Sequence, residues 1–397
     1  GNVRTTIATG PVGGQNTTTA DLTIGRVTAV KDALNRTTTF TYDTQNRLRR
    51  ITSPEGVLTE WGRDTRGNII RTTTAPKSGW GLSNIVLLAS YPTSCSNPVT
   101  CNLPTSTTDA RGAVTDYAYD PVHGGVTQVT LPAPTNGGTR PQSRITYSPQ
   151  AAWIKGASGM VQLTSSVTLP VAVSECITGT SCTGSANEVK TSIVYGVSGV
   201  ANNLLPTSVT TGAGNGSLTA TTTMTYTPYG DVATVDGPMA GTADTTTYRY
   251  DNARQLVGVI GADPDGNGPL QRQAQRISYN PRGQAYLVEQ GTVAGTSNAQ
   301  WAAFTSLQQQ STGYDGYGRP VTSGLHGGGA THAATQASYD AAGRLDCVAV
   351  RMNAADFSSL PASACIQGTA SSFGPDRIVK YGYDAASQLV STTSGEG

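Results

Sequence analysis

The sequence predicts an all-β fold made of one antiparallel hairpin repeated many times, and three observations support this prediction. Gly, Thr, Val and Tyr are abundant whereas helix-forming residues are sparse, which is typical of β structure. Pairs of apolar or aromatic residues recur two positions apart, a spacing that places both side chains on one face of a strand. A short turn signature follows most of these pairs. Regularly spaced aromatic residues argue against disorder.

The strand preceding each turn is marked by a pair whose second member is usually Tyr. The pairs are Phe40/Tyr42, Tyr117/Tyr119, Ile145/Tyr147, Ile193/Tyr195, Met224/Tyr226, Tyr248/Tyr250, Ile277/Tyr279 and Tyr381/Tyr383. The same pattern repeats 21 residues later in the most regular part of the chain, where Phe40 and Asp43 correspond to Trp61 and Asp64. Such a period indicates stacked units that share one continuous core.

The turn has Asp or Asn at its first position and Gly at its fourth. Examples are the segments 64–67, 109–112, 280–283, 315–318 and 340–343. This is the preference of a type I turn followed by a left-handed residue, which closes a β-hairpin with a bulge. The repeated Asp is therefore better explained as turn chemistry than as a carboxylate that awaits a substrate.

Insertions interrupt the regular spacing, and the six cysteines lie in them as three local pairs. We expect disulfides Cys95–Cys101, Cys176–Cys182 and Cys347–Cys365, in insertions near 91–104, 174–184 and 346–366, and an oxidising compartment. Six unrelated free thiols are the alternative. Absence of Cys-x-x-Cys spacing disfavours zinc. Two further insertions, 297–310 and 351–360, are predicted to be helical, the first because Trp301, Phe304 and Leu307 have helical spacing.

Tandem units such as "YDNARQLVGV" (250–259) and "YDAAGRLDCV" (339–348) resemble the YD or RHS repeats. This family includes bacterial Rhs proteins, shell components of insecticidal toxin complexes and animal teneurins. The resemblance covers residues 20–392 of one continuous array, 1–397. The signature residues are Tyr42, Asp43, Tyr119, Asp120, Tyr250, Asp251, Tyr339, Asp340, Gly343, Arg344, Tyr383 and Asp384.

Some units depart from the signature and are interpreted as degenerate repeats. Asp is replaced by Ser148, Gly196 and Thr227, and Gly is replaced by His123, Arg254 and Ser387.

The resemblance implies a long β-sheet spiral that can enclose a hollow shell, with no catalytic residues in the repeats. It also implies a scaffold or container. Many bacterial relatives end in a segment that cleaves itself and releases a C-terminal toxin. No such ending is found before "STTSGEG", so no cleavage residues are assigned. We expect the chain to be an excised section of a longer protein.

Three features are weighed as sites. Asp263, Asp265, Asn267 and Gly268 match the first half of a calcium loop, but Ala274 stands where Glu should supply bidentate ligation, and a hairpin loop is the alternative. His326 and His332 flank three glycines, where a metal site competes with an exposed loop. Tyrosines at the repeat position are expected to fill a core; the alternative is a platform for glycans.

The totals exclude several functions. A net charge of +1, with 13% charged residues, argues against a nucleic-acid partner. The longest apolar run, 85–89, is too short for a membrane span. We therefore expect a non-catalytic structural protein, secreted or at the cell surface, without a cofactor. Its partners would be further YD-repeat segments, identical copies end to end, toxin cargo or a surface glycan.

Overall fold

The computed structural model describes residues 2–10, 13–135, 137–177, 182–266 and 268–396. Nearly all of them lie in antiparallel strands or the turns that join them, which confirms the all-β prediction. The chain divides into two compact units. One comprises Gly1–Ala8, Asn16–Thr223 and Pro228–Gly230, and the other comprises Thr9–Gln15, Met224–Thr227 and Asp231–Gly397.

The first unit is built mainly from strands β1 to β16. They are β1 Val3–Thr9, β2 Gln15–Asp21, β3 Arg26–Lys31, β4 Thr37–Tyr42, β5 Leu48–Thr52, β6 Leu58–Arg63, β7 Ile69–Ala75, β8 Ile85–Ser90, β9 Ser106–Thr108, β10 Val114–Tyr119, β11 Val126–Thr130, β12 Gln142–Gly156, β13 Gly159–Cys176, β14 Glu188–Tyr195, β15 Pro206–Ala213 and β16 Thr219–Tyr226. From β2 onward each strand pairs antiparallel with the next one in the chain.

The second unit continues the same strand order from β17 to β27. Its elements are β17 Val232–Asp236, β18 Thr246–Tyr250, β19 Leu256–Ile260, β20 Arg272–Tyr279, β21 Ala285–Val293, helix α1 Asn298–Ala302, β22 Thr305–Tyr314, β23 Pro320–Gly327, β24 Ala330–Tyr339, β25 Leu345–Arg351, a 3-10 turn Ala354–Asp356, β26 Arg377–Tyr383 and β27 Leu389–Glu396. Pairing is again antiparallel between consecutive strands. No helix of the described residues is long and apolar enough to span a membrane.

The repeat turn closes as its residues predict. At Asp43 the N–H of Asn46 donates to the Asp43 carbonyl over 3.0 Å, and the Asp43 N–H donates to the Arg47 carbonyl over 2.9 Å. Asn46 is left-handed, with φ of 59°. The register shifts at Tyr42, which is the bulge that such a turn produces.

Two sequence interpretations of repeat turns are wrong. Tyr147 and Ser148 are not followed by a turn, because β12 runs on to Gly156 and forms a long hairpin with β13. His123 does not take the left-handed position. Gly124 does, with φ of 73°, while the His123 ring accepts a hydrogen bond from Gly125 and packs edge-on against Tyr147.

The predicted helical insertions are much shorter than expected. In 297–310 only Asn298–Ala302 is helical, started by a capping box from Ser297, and Leu307 lies in strand β22. Glutamines 308–310 join this strand because β21 offers a partner, and pairing overrides their helix propensity. In 351–360 the only helical element is the 3-10 turn Ala354–Asp356.

Fully buried apolar residues form two small clusters in the second unit. One contains Ile260, Ala274 and Val293, with Trp301 and Phe304 packed against it. Gly258 is required beside this cluster, because a Cβ there would lie 2.5 Å from the Trp301 ring. The other cluster contains Cys347, Ala349 and Ala364.

All three expected cysteine pairs are bonded in the structure: Cys95–Cys101, Cys176–Cys182 and Cys347–Cys365. The first and third pairs lie in or beside described segments outside the named strands. The second pair is accompanied by buried Glu188, whose carboxylate accepts a hydrogen bond from the Gly184 N–H over 2.6 Å. A local crosslink of this kind restrains a segment that no ladder holds.

A buried ion pair anchors the insertion between β25 and β26. The Arg351 guanidinium donates to Asp376 over 2.6 Å, and the two side chains are 1% and 2% exposed. Arg351 also donates to the carbonyls of Ser363 and Ile366, and Asp376 accepts from the N–H groups of Met352 and Gly368. The pair therefore fixes the insertion at both of its ends.

We expect Arg351→Met to destabilise the second unit by about 3–5 kcal/mol, because it leaves the Asp376 carboxylate buried without its cation. Urea unfolding followed by circular dichroism measures this loss. The exposed Arg377 in β26 provides the control variant Arg377→Met, which should change stability by less than ~0.5 kcal/mol. Equal effects of the two substitutions would contradict the anchoring role of the ion pair.

Candidate functional site: the hairpin interlock

The first-position carboxylate organises each repeat turn. At Asp340 one carboxylate oxygen, Oδ1, accepts hydrogen bonds from the N–H groups of Ala342 and Arg344, both over 2.9 Å. Asp43, Asp64, Asp109, Asp251, Asn280, Asp315 and Asp384 make the same pair of bonds two and four residues on. Both otherwise unpaired donors of the turn are thus satisfied by one side chain.

The second carboxylate oxygen holds the side chain that restarts the partner strand. Asp43 Oδ2 accepts from Arg47 Nε over 2.7 Å, and Asp340 Oδ2 accepts from Arg344 Nε over 2.7 Å. Gln255 takes the place of Arg beside Asp251. The fifth position therefore often carries a planar donor, and Arg344 directs both Nε and Nη2 at the same Asp340 oxygen, whereas Ala113 follows Asp109 without one.

The repeat tyrosine reaches backward to the preceding hairpin. Its hydroxyl donates to a main-chain carbonyl, usually of the first residue in that hairpin's return strand. The bonds, 2.7–3.0 Å long, are Tyr42 to Val27, Tyr119 to Pro104, Tyr147 to Val126, Tyr195 to Pro170, Tyr250 to Val232, Tyr279 to Leu256, Tyr314 to Ala285, Tyr339 to Pro320 and Tyr383 to Leu345.

These bonds interleave along the second unit. Tyr279 lies opposite Ala285 in its own hairpin, and the Ala285 carbonyl accepts from Tyr314 of the next hairpin. Each hairpin thus presents one acceptor to its successor and sends one tyrosine to its predecessor. We call the set of turn carboxylates, fifth-position donors and repeat tyrosines the hairpin interlock.

Fifth-position side chains add a forward contact to the same interlock. The Arg319 guanidinium lies 4.3 Å above the ring of Tyr339, and that of Arg344 lies 4.6 Å above the ring of Tyr383. Gln284 instead donates to the Gly318 carbonyl of the following turn over 2.7 Å. Successive turns are therefore joined in both chain directions.

The electrostatics follow from these contacts. Partial burial raises the pKa of the Asp43 carboxyl, but hydrogen bonds from Arg47 and Gln45 outweigh it and hold the pKa below its ordinary value of 3.8. The pKa values of Asp315 and Asp340 are lowered in the same way. Burial raises the pKa of the Tyr250 hydroxyl, which keeps it protonated as a donor.

Sequence reasoning missed one turn that has the same carboxylate and fifth-position donor but no repeat tyrosine. Asp32 accepts from the N–H groups of Leu34 and Arg36 and pairs with Arg36 Nε over 2.8 Å, at the opposite ends of the strands from Asp43. Asn35 takes the left-handed position there, with φ of 63°. No tyrosine precedes Asp32, although the Asp-x-x-Asn-Arg spacing alone could have identified the turn.

The carboxylates of the predicted half calcium loop interact with other residues of the same chain. The Asp263 carboxylate lies 3.3 Å from the Arg272 guanidinium, and Asp265 Oδ2 accepts from the Leu270 N–H over 3.0 Å. Asn267 lies outside the described residues. The calcium site stays a prediction from sequence.

The two glycine-flanking histidines bond to different groups. The ring nitrogens of His326 lie 2.8 Å from Ser311 Oγ and 2.9 Å from Thr331 Oγ1, whereas His332 Nε2 lies 2.9 Å from the Gly327 carbonyl. A polar pocket of about 320 Å³ lies beside His326. In the described residues the only cluster of three metal-ligand side chains is Asp346 with disulfide-bonded Cys347 and Cys365. Those sulfurs are therefore not thiolate ligands.

We expect Tyr250→Phe to lower the free energy of unfolding by about 0.5–1.5 kcal/mol, because the Val232 carbonyl loses its donor while the ring is retained. Tyr248 is the matched control, since it lies two residues away in β18 and its hydroxyl makes no hydrogen bond within the described residues. Urea titrations of the two Phe variants measure the difference. An equal loss of stability in both variants would show that the Tyr250 hydroxyl does not contribute to the interlock.

The turn carboxylates predict a defined acid sensitivity. Their folded pKa values are lowered, so their stabilisation is fully present above the unfolded value of about 3.9 and is lost as pH falls through the folded values. The urea midpoint should be nearly constant from pH 7 to pH 5 and should fall below about pH 4. Asp340→Asn, which removes the charge, should differ from the parent protein at pH 7 and converge with it in acid. A pH-independent difference would contradict this.

A comparison with known protein families agrees with the repeat. Residues 23–58 and 42–77 each match the sequence model of the RHS Repeat family. No curated protein sequence matches the chain. A structure of the Photorhabdus luminescens Tc holotoxin pore is similar with a TM-score of 0.46 at 14% identity, over 96% of this chain and 19% of that one. A crystal structure of TcdB2-TccC3-TEV is similar with a TM-score of 0.41 at 15% identity, over 93% of this chain and 20% of that one.

This chain therefore spans about a fifth of the length of those two. The family match lies in the segment where Asp43, Arg47 and Asp64 form the interlock described above. The predicted resemblance to the RHS, or YD, repeats is confirmed by this family match, which covers residues 23–77.

Proposed function

We propose that the chain is a wall section of a long extracellular YD-repeat scaffold, which forms a hollow β shell, tube or fibre and has no catalysis of its own. One observation carries the proposal. In the second unit five consecutive repeat tyrosines each bond the main chain of the preceding hairpin, from Tyr250 to Tyr383. The conspicuous polar side chains of the repeat are therefore engaged in holding hairpins together.

Cysteine usage supports a location outside the cytosol. Within the described residues there is no free cysteine, and each disulfide closes a short segment. Structural disulfides persist in secreted and cell-surface proteins, where thiols are not kept reduced.

Antiparallel sheets of this kind extend by adding hairpins, so the natural partners are further YD-repeat segments or identical copies end to end. Every additional hairpin would need only a tyrosine to reach the preceding return strand and a fifth-position donor to hold its own turn. Extension by repetition then requires no new interface chemistry.

Two alternative functions remain within the same architecture. One is a capsule that encloses and delivers a C-terminal toxin, as the family resemblance implies. The other is a glycan-binding surface adhesin. An exposed aromatic ring favours a binding surface of that kind, because the Tyr317 side chain is 88% exposed. Such rings stack on sugar faces.

The first test is electron microscopy of the purified native assembly. We expect an empty hollow shell, an open tube or a fibre, in each case with a hairpin-repeat wall. A closed particle with internal density would replace this proposal by the capsule. Globular particles without a sheet wall would overturn both.

Substitution of two neighbouring tyrosines distinguishes the scaffold function from the adhesin function. Tyr314→Ala removes an interlock hydroxyl, whereas Tyr317→Ala removes an exposed ring three residues away. For a scaffold, only Tyr314→Ala should shorten or disorder the assembly in micrographs. Loss of binding to a glycan array in Tyr317→Ala, with an intact assembly, would instead establish the adhesin.

A further inference from the structure

A polar pocket of about 320 Å³ lies in the second unit between β22 and the turn that joins β23 to β24. Gln309 lies opposite His326, and His326 lies opposite Thr331, so these three side chains form a row across consecutive strands. All three line the pocket. The ladder shifts just before His326, but the 2.9 Å contact between His326 Nδ1 and Thr331 Oγ1 and the common pocket show that the row lies on one face.

A shift in the β21–β22 ladder brings a fourth polar side chain to the same pocket. Consecutive residues of β21 pair with Ser306 and Gln308 and skip Leu307. Ser306 and Gln309 therefore face the same way although they are three residues apart, and Gln309 Nε2 donates to Ser306 Oγ over 3.2 Å. Leu307, which is 62% exposed, adds an apolar side chain to the lining.

Buried charges fix the orientation of the Gln309 amide. Glu289 is 3% exposed, and its carboxylate accepts from Arg276 Nε over 2.6 Å and from Gln309 Nε2 over 3.2 Å. Because an ionised carboxylate can only accept, the amide nitrogen must face it and the amide carbonyl must point elsewhere. Within the described residues no donor bonds Gln309 Oε1, so this atom is an acceptor that a ligand can use.

Hydroxyl groups on both sides hold the His326 ring. Its Nε2 atom lies 2.8 Å from Ser311 Oγ, and its Nδ1 atom bonds Thr331. Gly324 makes room for the ring, because a Cβ there would lie 2.7 Å from Nε2, and its φ is not left-handed, so the backbone does not require this glycine. A hydroxyl can donate one hydrogen bond and accept two, so Thr331 keeps bonding capacity for a ligand whichever tautomer His326 adopts.

The groups that line the pocket match a neutral ligand with several hydroxyls. They include an amide carbonyl, a hydroxyl and an imidazole, each held by a neighbouring side chain before a ligand arrives. His326 is the only ionisable residue in the lining, so an anion would find no Arg or Lys there. An apolar ligand would meet only two aliphatic side chains, Leu307 and Ala330. The volume lies at the lower end of the range for ligand pockets, about 300–1,000 Å³, which favours a single ring.

We propose that this pocket binds one neutral sugar ring. Gln309 Oε1 accepts from one sugar hydroxyl, Thr331 Oγ1 bonds a second, and Leu307 packs on the ring carbons. Sugar hydroxyls both donate and accept while the ring carbons are apolar, and the lining complements both. The inference gives the glycan-binding alternative a site distinct from the exposed Tyr317 ring, and it does not depend on the scaffold function proposed above.

Saturation-transfer NMR and calorimetry test the site with the methyl glycosides of glucose, galactose, mannose and N-acetylglucosamine. We expect at least one glycoside to bind with a dissociation constant of about 1–10 mM, because few hydrogen bonds are made. Thr331→Val keeps the shape of the side chain and should raise that constant about threefold to tenfold, as the loss of one neutral hydrogen bond predicts. Thr312→Val is the control, since Thr312 lies on the opposite face of β22 from Gln309.

A second variant acts through the position of the ring. Gly324→Ala places a methyl group where the His326 ring lies and should also weaken sugar binding, with circular dichroism to verify that the variant is folded. Binding of none of the glycosides, or equal binding by the parent protein and both pocket variants, would overturn the site. Loss of binding in Tyr317→Ala alone would assign the sugar to the exposed ring instead.

Charge and assembly provide two further controls. Tighter binding of glucose 6-phosphate than of the methyl glucoside would contradict a pocket built for a neutral ring. Electron micrographs of the same variants separate this proposal from the scaffold function. An intact hairpin wall without sugar binding in the parent protein would overturn the pocket alone.

Discussion

The carboxylate that closes each repeat turn is the contact on which the remaining structure depends. One oxygen of Asp340 satisfies two backbone donors, and the other fixes the Arg344 guanidinium. Because the guanidinium is held, it lies above Tyr383 of the next hairpin, whose hydroxyl returns to the Leu345 carbonyl. A local turn contact is thereby converted into register between hairpins, since a one-residue slip would move both partners away.

Coupling of this kind acts only between neighbours, and this explains how the array tolerates insertions. Each hairpin needs only an acceptor carbonyl in the preceding hairpin and a contact with the next hairpin, whatever length of chain lies between them. Tyr339 and Tyr383 are separated by a long insertion, yet Tyr383 still bonds Leu345. The insertion then requires anchoring of its own, which the Arg351–Asp376 pair and the Cys347–Cys365 disulfide provide.

Sequence was most informative where the physics is local. The turn at Asp43 could be predicted because its donors and acceptors lie within four residues. The acceptor of a repeat tyrosine could not be predicted, because it is a main-chain carbonyl and no side chain marks it in the sequence. Arg351 and Asp376 are 25 residues apart and read as ordinary charges. Ser148 was interpreted as a degenerate turn residue, which concealed the long hairpin of β12 and β13.

The same reasoning indicates where function should be sought in such a chain. In a regular repeat most polar groups of the signature have a structural partner, as the tyrosine hydroxyls and the Asp340 carboxylate do, so the signature has little left with which to recognise anything else. Departures from the repeat are different, because they persist although the interlock does not require them. The long hairpin of β12 and β13 is the clearest departure in the first unit, because its strands run on beyond the residues that pair with β11 and β14, and buried Asn203 supports it by bonding the main chain of Ala151 and Trp153.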